Sequence, residues 1–166
     1  MKTLSRMMRH FFTTAAMGQR AFPPSTLKAI QAAIAKGEAL HRAEIRLIIE
    51  PALPIRAVLD GTSSRERARE LFAHYRIWDT EENCGVLMYI NLADHKVEIV
   101  ADRSAGRALS AHDWQAVCRT MTKGFASGAF HDSVVAALDQ LNALLQIHFP
   151  DDGSRSNQLS NRPVIL

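Results

Sequence analysis

Five consecutive residues, Val86-Leu87-Met88-Tyr89-Ile90, are apolar at every position, and a second apolar run, Val97–Ala101, follows almost at once. A strand with one wet face alternates polar and apolar side chains, so an unbroken run predicts a strand covered on both sides. The stretch between the runs, Ala93-Asp94-His95-Lys96, is too short for a crossover, so the two strands must be antiparallel neighbours. Upstream, Glu44-Ile45-Arg46-Leu47-Ile48-Ile49-Glu50 is another β-rich run, stopped by Pro51. A helical segment separates it from Val86–Ile90, which predicts a right-handed parallel crossover. The three runs therefore predict an α/β fold with a mixed, mostly buried central sheet containing one antiparallel hairpin.

The helices are marked by their caps. Phe22-Pro23-Pro24 interrupts the chain, after which Ser25 or Thr26 can start a helix carrying Leu27, Ile30 and Ile34. Residues 51–61 read as a connection. Ser63 and Glu66 match a capping box, with Ala68, Leu71, Phe72 and Tyr75 following on one helical face. Ser110 and Asp113 cap another helix, with Trp114, Val117, Cys118 and Met121 as its stripe. Gly124 and Gly128 bracket a bend, and a last helix runs from about Asp132 to Phe149-Pro150. Three parts result: a basic amphipathic leader over 1–22, an α/β domain over 23–150, and a polar Gly/Ser/Asn-rich tail over 151–166 that reads as disordered.

Charge is divided unevenly between these parts. Residues 1–37 hold Lys2, Arg6, Arg9, Arg20, Lys28 and Lys36 and no acid. Removing those six from the 20 Lys and Arg leaves 14 against 17 acids, so the body carries −3 while the whole carries +3. That distribution argues against a nucleic-acid face on the body. It makes the leader, with Leu4, Met7, Met8, Phe11, Phe12 and Ala15 at helical spacing, a helix for the domain, for a partner, or for an anionic membrane surface through residues 1–20. Cys84 and Cys118 are scattered, which fits a reducing compartment, and Met1–Met17 is a poor secretory signal; the expected location is cytoplasmic. No apolar run approaches the roughly 20 residues of a membrane span.

Asn83-Cys84-Gly85-Val86-Leu87 resembles the Asn-Asn-Gly-Val-Leu segment of the TPM domain, named for a thylakoid lumen protein and its relatives. Arg69-Glu70-Leu71-Phe72 is similar to the helix that precedes that segment. Asp94-His95-Lys96-Val97-Glu98-Ile99 resembles the hairpin the family turns through Asp-Arg-Lys, and Phe125, Gly128 and Phe130 match the spacing before its last helix. The likeness covers roughly residues 40–150. It implies a three-layer α/β/α sandwich and a shallow site at the strand-end loops, where several members bind a divalent cation, commonly calcium. Acid phosphatase activity has been attributed to a plant member, and other members are linked to membrane-protein repair and assembly. Two positions depart from the pattern: Cys84 stands where Asn is common, and Asp102-Arg103-Ser104-Ala105-Gly106 keeps one glycine of a frequent Gly-x-Gly.

The candidate site follows from the acids flanking the hairpin. Asp79, Thr80, Glu81 and Asn83 precede one strand and Asp102 ends the next, so together they can offer oxygen ligands to Ca²⁺, or to Mg²⁺. Trp78 would wall the site and Arg103 would face a phosphate. Glu38, His41 and Glu44, spaced three apart, would share a face if the first capped helix ran on to about Ala43, and His41 and Glu44 would line the same pocket only if that helix end lay beside the Asp79–Asn83 loop. No Gly-x-Ser-x-Gly, His-Glu-x-x-His or Gly-rich phosphate loop is present. Cys118 reads as a buried thiol on an apolar helical face, Cys84 as a better exposed loop residue, and Trp78 and Trp114 as packing residues. The expected function is a non-catalytic binding or assembly module for an unknown protein partner; the alternatives are a metal-dependent acid phosphatase using the same acids and a peripheral membrane adaptor docking through the leader.

Overall fold

The computed structural model describes residues 2–153 and 157–166, with side chains from Leu4 onward. The chain runs through α1 (Lys2–Phe12), α2 (Ala15–Ala21), α3 (Pro24–Glu38), β1 (Glu44–Glu50), α4 (Ile55–Leu59) and α5 (Ser64–His74). It continues through β2 (Gly85–Asn91), β3 (Lys96–Ala101), α6 (Arg103–Ala108), α7 (Ala111–Ala126), α8 (Phe130–His148) and β4 (Val164–Ile165). The sheet order is β3-β2-β1-β4. β1 and β2 are parallel, with Ile45 opposite Val86 and Ile49 opposite Ile90; β2 and β3 are antiparallel, with Val86 opposite Ala101. The mixed sheet expected from the three apolar runs is thus present, with helices on both of its faces.

The side-chain period of two splits each strand between those faces. Ile45, Leu47, Ile49, Val86, Met88 and Ile90 pack against Ile30 and Ile34 of α3, Val117 and Met121 of α7, and Leu138 and Leu141 of α8. Full burial of each such side chain contributes roughly 1.5–3 kcal/mol. On the opposite face Ile48, Leu87 and Tyr89 meet Ala68 and Leu71 of α5. This second face also carries charge. Glu50, 3% exposed, accepts from Arg67 on α5 at 2.9–3.2 Å and from the Tyr89 hydroxyl at 2.6 Å. Burial and the neighbouring Glu50 carboxylate push the Tyr89 phenol far up, so it stays a donor. The expected capping boxes close α5 at Ser63 and Glu66 and α7 at Ser110 and Asp113.

Three expectations are corrected, and one helix, α6, is present that the sequence did not mark. The connection 51–61 contains α4, too short to show a helical period. α3 stops at Glu38, so Glu38, His41 and Glu44 do not share a helical face; Leu40 and His41 instead turn back with N–H donation to Gly37 O. α6 follows Asp102 directly, capped by its carboxylate. The tail over 151–166 is not disordered throughout its described part: β4 pairs parallel with β1, Ile48 opposite Val164, and Leu159 and Val164 join the α5-side core. Its polar composition hides that, because the contacts are with chain far back in the sequence. Residues 154–156 lie outside the described residues.

The leader packs on the domain through its polar side. Arg6 reaches Asp94 in the β2–β3 turn at 2.7 Å, and the Nε2 of buried His10 lies 3.1 Å from the same carboxylate. His10 Nδ1 accepts from Leu53 N at 2.9 Å, which leaves the ring proton on Nε2, facing Asp94. Among the described residues no helix is long and apolar enough to cross a membrane.

Candidate functional site

At the end of the sheet where β1 and β2 begin, a cleft of about 260 Å³ opens between the C-terminus of α3, the segment before β2 and the returning tail. Gly85 fixes one wall: a Cβ there would sit 1.9 Å from Ile77 O, so only glycine lets the chain before β2 fold this tightly against itself. Thr80 closes the turn, its Oγ1 accepting from Cys84 N at 3.1 Å while Thr80 O accepts from Asn83 N. Asn83 takes the left-handed conformation this turn needs, at φ 52°.

Carboxyl groups from three segments line the cleft: Glu38 at the end of α3, Glu44 at the start of β1, and Glu81 and Glu82 before β2. Glu38 accepts from Ile45 N at 2.8 Å, and burial, reinforced by Glu44, pushes its carboxyl up to about 8. Burial also raises Glu44, against the pull of the Gln158 and Leu159 N–H groups that donate to its two oxygens at 3.1 and 2.9 Å. Arg42 is the cation of the lining. It is engaged by Glu82 at 2.5 Å and Asp152 at 3.4 Å.

Cys84 is not an exposed loop thiol. It is 1% exposed, donates to Arg42 O, and burial pushes it up to about 11, which keeps it protonated. His41, 1% exposed, has Nδ1 3.1 Å from Ala43 O and Nε2 3.1 Å from Asn142 Oδ1; burial lowers it, favouring the neutral ring.

The residues named from sequence fall into three groups. Glu81, Glu44 and His41 line the cleft, with Thr80 supporting the turn beneath it. Asp79 lies outside the lining, exposed and paired with Arg76 at 2.6 Å, and Trp78 is 48% exposed beneath the Arg76 guanidinium rather than packed in a core. Asn83, Asp102 and Arg103 form a separate cluster: Asp102 N donates to Gly85 O, Ser104 N to Asn83 O, and Asp102 Oδ1 accepts from Arg103 N. Asp102 Oδ2 is buried with no hydrogen-bond partner among the described residues. Sequence reading left out Arg42, which pairs with Glu82, and Asn157, Gln158 and Asn161, whose approach depends on the tail's return and has no local signal.

The oxygen donors suit a hard cation in type, yet they do not converge. Among the described residues no group of three or more His, Cys, Asp or Glu is disposed to hold a metal ion. The best-placed oxygens, on Glu38 and Glu44, already accept from backbone N–H groups, so the chain alone forms no calcium cage of the six to eight oxygens such an ion takes.

A two-faced α/β sandwich with a polar cleft at its strand ends is the architecture these observations define. The TPM domain family matches residues 18–144, and the chain belongs to that family. Among solved structures it is similar to the NMR structure of the BA42 protein from the psychrophilic bacterium Bizionia argentinensis, at a TM-score of 0.74 and 24% identity over 86% of this chain and 93% of that one. That likeness is one of fold. No curated protein matches the sequence.

Proposed function

We propose that this TPM domain is a non-catalytic binding module and that the strand-end cleft is its contact surface, recognising positive charge on a protein partner. The observation that carries the reading is the meeting of four carboxyl groups from three chain segments around one cleft, two of them held above the usual carboxylate range. Carboxylates crowded in this way gain from an approaching cation, whether a basic side chain or a divalent ion. Ca²⁺, or Mg²⁺, fits as an ion shared between the cleft and a partner, because the cleft by itself leaves most of the coordination shell to other ligands. Binding is favoured over turnover by the state of the lining: the Cys84 thiol is protonated, the His41 ring is held in the α3–α8 seam, and Arg42 is occupied by two acids.

A calcium titration of melting temperature at pH 9, where Glu38 is ionised, tests the reading, since a ligand bound only by the folded state must raise its stability. The expected result is a rise that is smaller at pH 6 and is lost in Glu81→Gln/Glu82→Gln. No rise at pH 9 removes the cation from the proposal. Metal-dependent hydrolysis of p-nitrophenyl phosphate, lost in Asp79→Ala or in the same double variant, would replace the module with a phosphatase.

A further inference from the structure

α1 sits on the domain with the opposite face to the one an amphipathic helix normally buries. Arg6 and His10, four residues apart, point inward to Asp94, whereas Leu4, Met8 and Phe11, at i, i+4 and i+7, are 62%, 46% and 68% exposed. Phe12 at 61% and Met17 of α2 at 48% extend the same run of exposed apolar side chains, and α4, which packs against α1, adds Ile55 and Leu59. Seven of the eleven large apolar side chains exposed among the described residues therefore belong to α1, α2 and α4. Phe12 and Met17 also form one wall of an open groove of about 1200 Å³ whose far wall is Leu92, Phe125 and Phe130. Single exposed hydrophobics need no explanation, but a contiguous set does.

Cations predominate around this surface. Arg9 and Arg20 line the groove beside His95, and exposed Lys96 follows in the hairpin turn. Of the acids, Asp94 is enclosed by Arg6, Arg9 and His10, and Asp60, at the end of α4, lies 3.9 Å from Arg56. No acid occurs before Glu38 in the sequence. An apolar stripe bordered by cations complements a surface that is anionic at its face and hydrocarbon beneath it. That is an anionic lipid bilayer. We propose that α1 and α2 dock this domain on an anionic membrane surface, with Phe11 and Phe12 entering the headgroup layer and Arg9 and Arg20 meeting lipid phosphates. The Asp94 clamp holds the helix in the orientation that presents this face. The inference is independent of the strand-end cleft.

Co-sedimentation with vesicles of phosphatidylcholine alone, or with about a quarter phosphatidylglycerol added, reads the dock directly. The chain is expected to pellet with the anionic vesicles, less so in high salt, and to remain in solution with the neutral ones. Phe11→Ser/Phe12→Ser should weaken pelleting about tenfold or more, and Arg20→Glu should weaken it less. Ile147→Ser, at a 73% exposed position on α8, should leave it unchanged. These positions are solvent-exposed, so unaltered melting curves check that each variant is folded. Absence of pelleting, equal pelleting of the neutral vesicles, or no loss in the double Phe variant would each overturn the proposal. A dimer in sedimentation equilibrium that the double Phe variant dissolves would assign the face to a second copy instead.

Discussion

Glu38 shows how one side chain ties the cleft to stability. Its carboxyl titrates at about 8 in the folded protein, above its ordinary value of 4.5, so the folded state holds a proton that the unfolded chain has released. Between those values folding stability falls as pH rises, and the full penalty is present above pH 8. Glu38→Gln keeps an acceptor for Ile45 N and removes the charge. It is expected to stabilise the fold by about 1–3 kcal/mol at pH 9 and to change little at pH 4, read as melting temperature against pH. The Glu38, His41 and Glu44 spacing is visible in the sequence, yet the reason the three meet is not. A turn closed on Gly37 brings them together, and a Cβ at Gly37 would sit 2.1 Å from Asn142 Cγ on α8, a constraint set by a residue far along the chain.

Among the elements, α1 depends on one carboxylate. Burial pushes Asp94 up, but Arg6 and His10 together outweigh it and bring it down to about 2, below its ordinary 3.8. The sign is that of a lowered acid: the contribution is present above pH 4 and is lost as pH falls toward 2, and it is worth about 2 kcal/mol. Asp94→Ala should free α1, leaving Arg6 and buried His10 without their partner, and limited proteolysis should then cut first within residues 2–21 while the sheet stays intact. Elements with a strong local signal were legible: β2 from its unbroken apolar run, α5 and α7 from their capping boxes. α4 and α6 were not, because helices of five and six residues are too short to display a period and are held by their surroundings. The leader's helical spacing was also legible, but spacing identifies the faces of a helix and not which of them turns inward.

For the whole molecule, the returning tail is the feature least readable from sequence and among the most connected in the structure. Gln158 and Leu159 partly offset the desolvation of Glu44, Gln158 Oε1 accepts from Glu81 N, and β4 lies along β1. Truncation after Asp151 should therefore lower stability and loosen the cleft together, seen as a reduced urea midpoint with a weakened calcium response. A second consequence concerns solubility. β3 and β4 are the two margins of the sheet, and β4 is only two residues long. Behind it lies β1, buried along nearly its whole length and rich in isoleucine. So short a final strand offers little template for pairing between molecules, whereas its loss would bare the seven-residue β1, the kind of margin along which chains stack into cross-β aggregates.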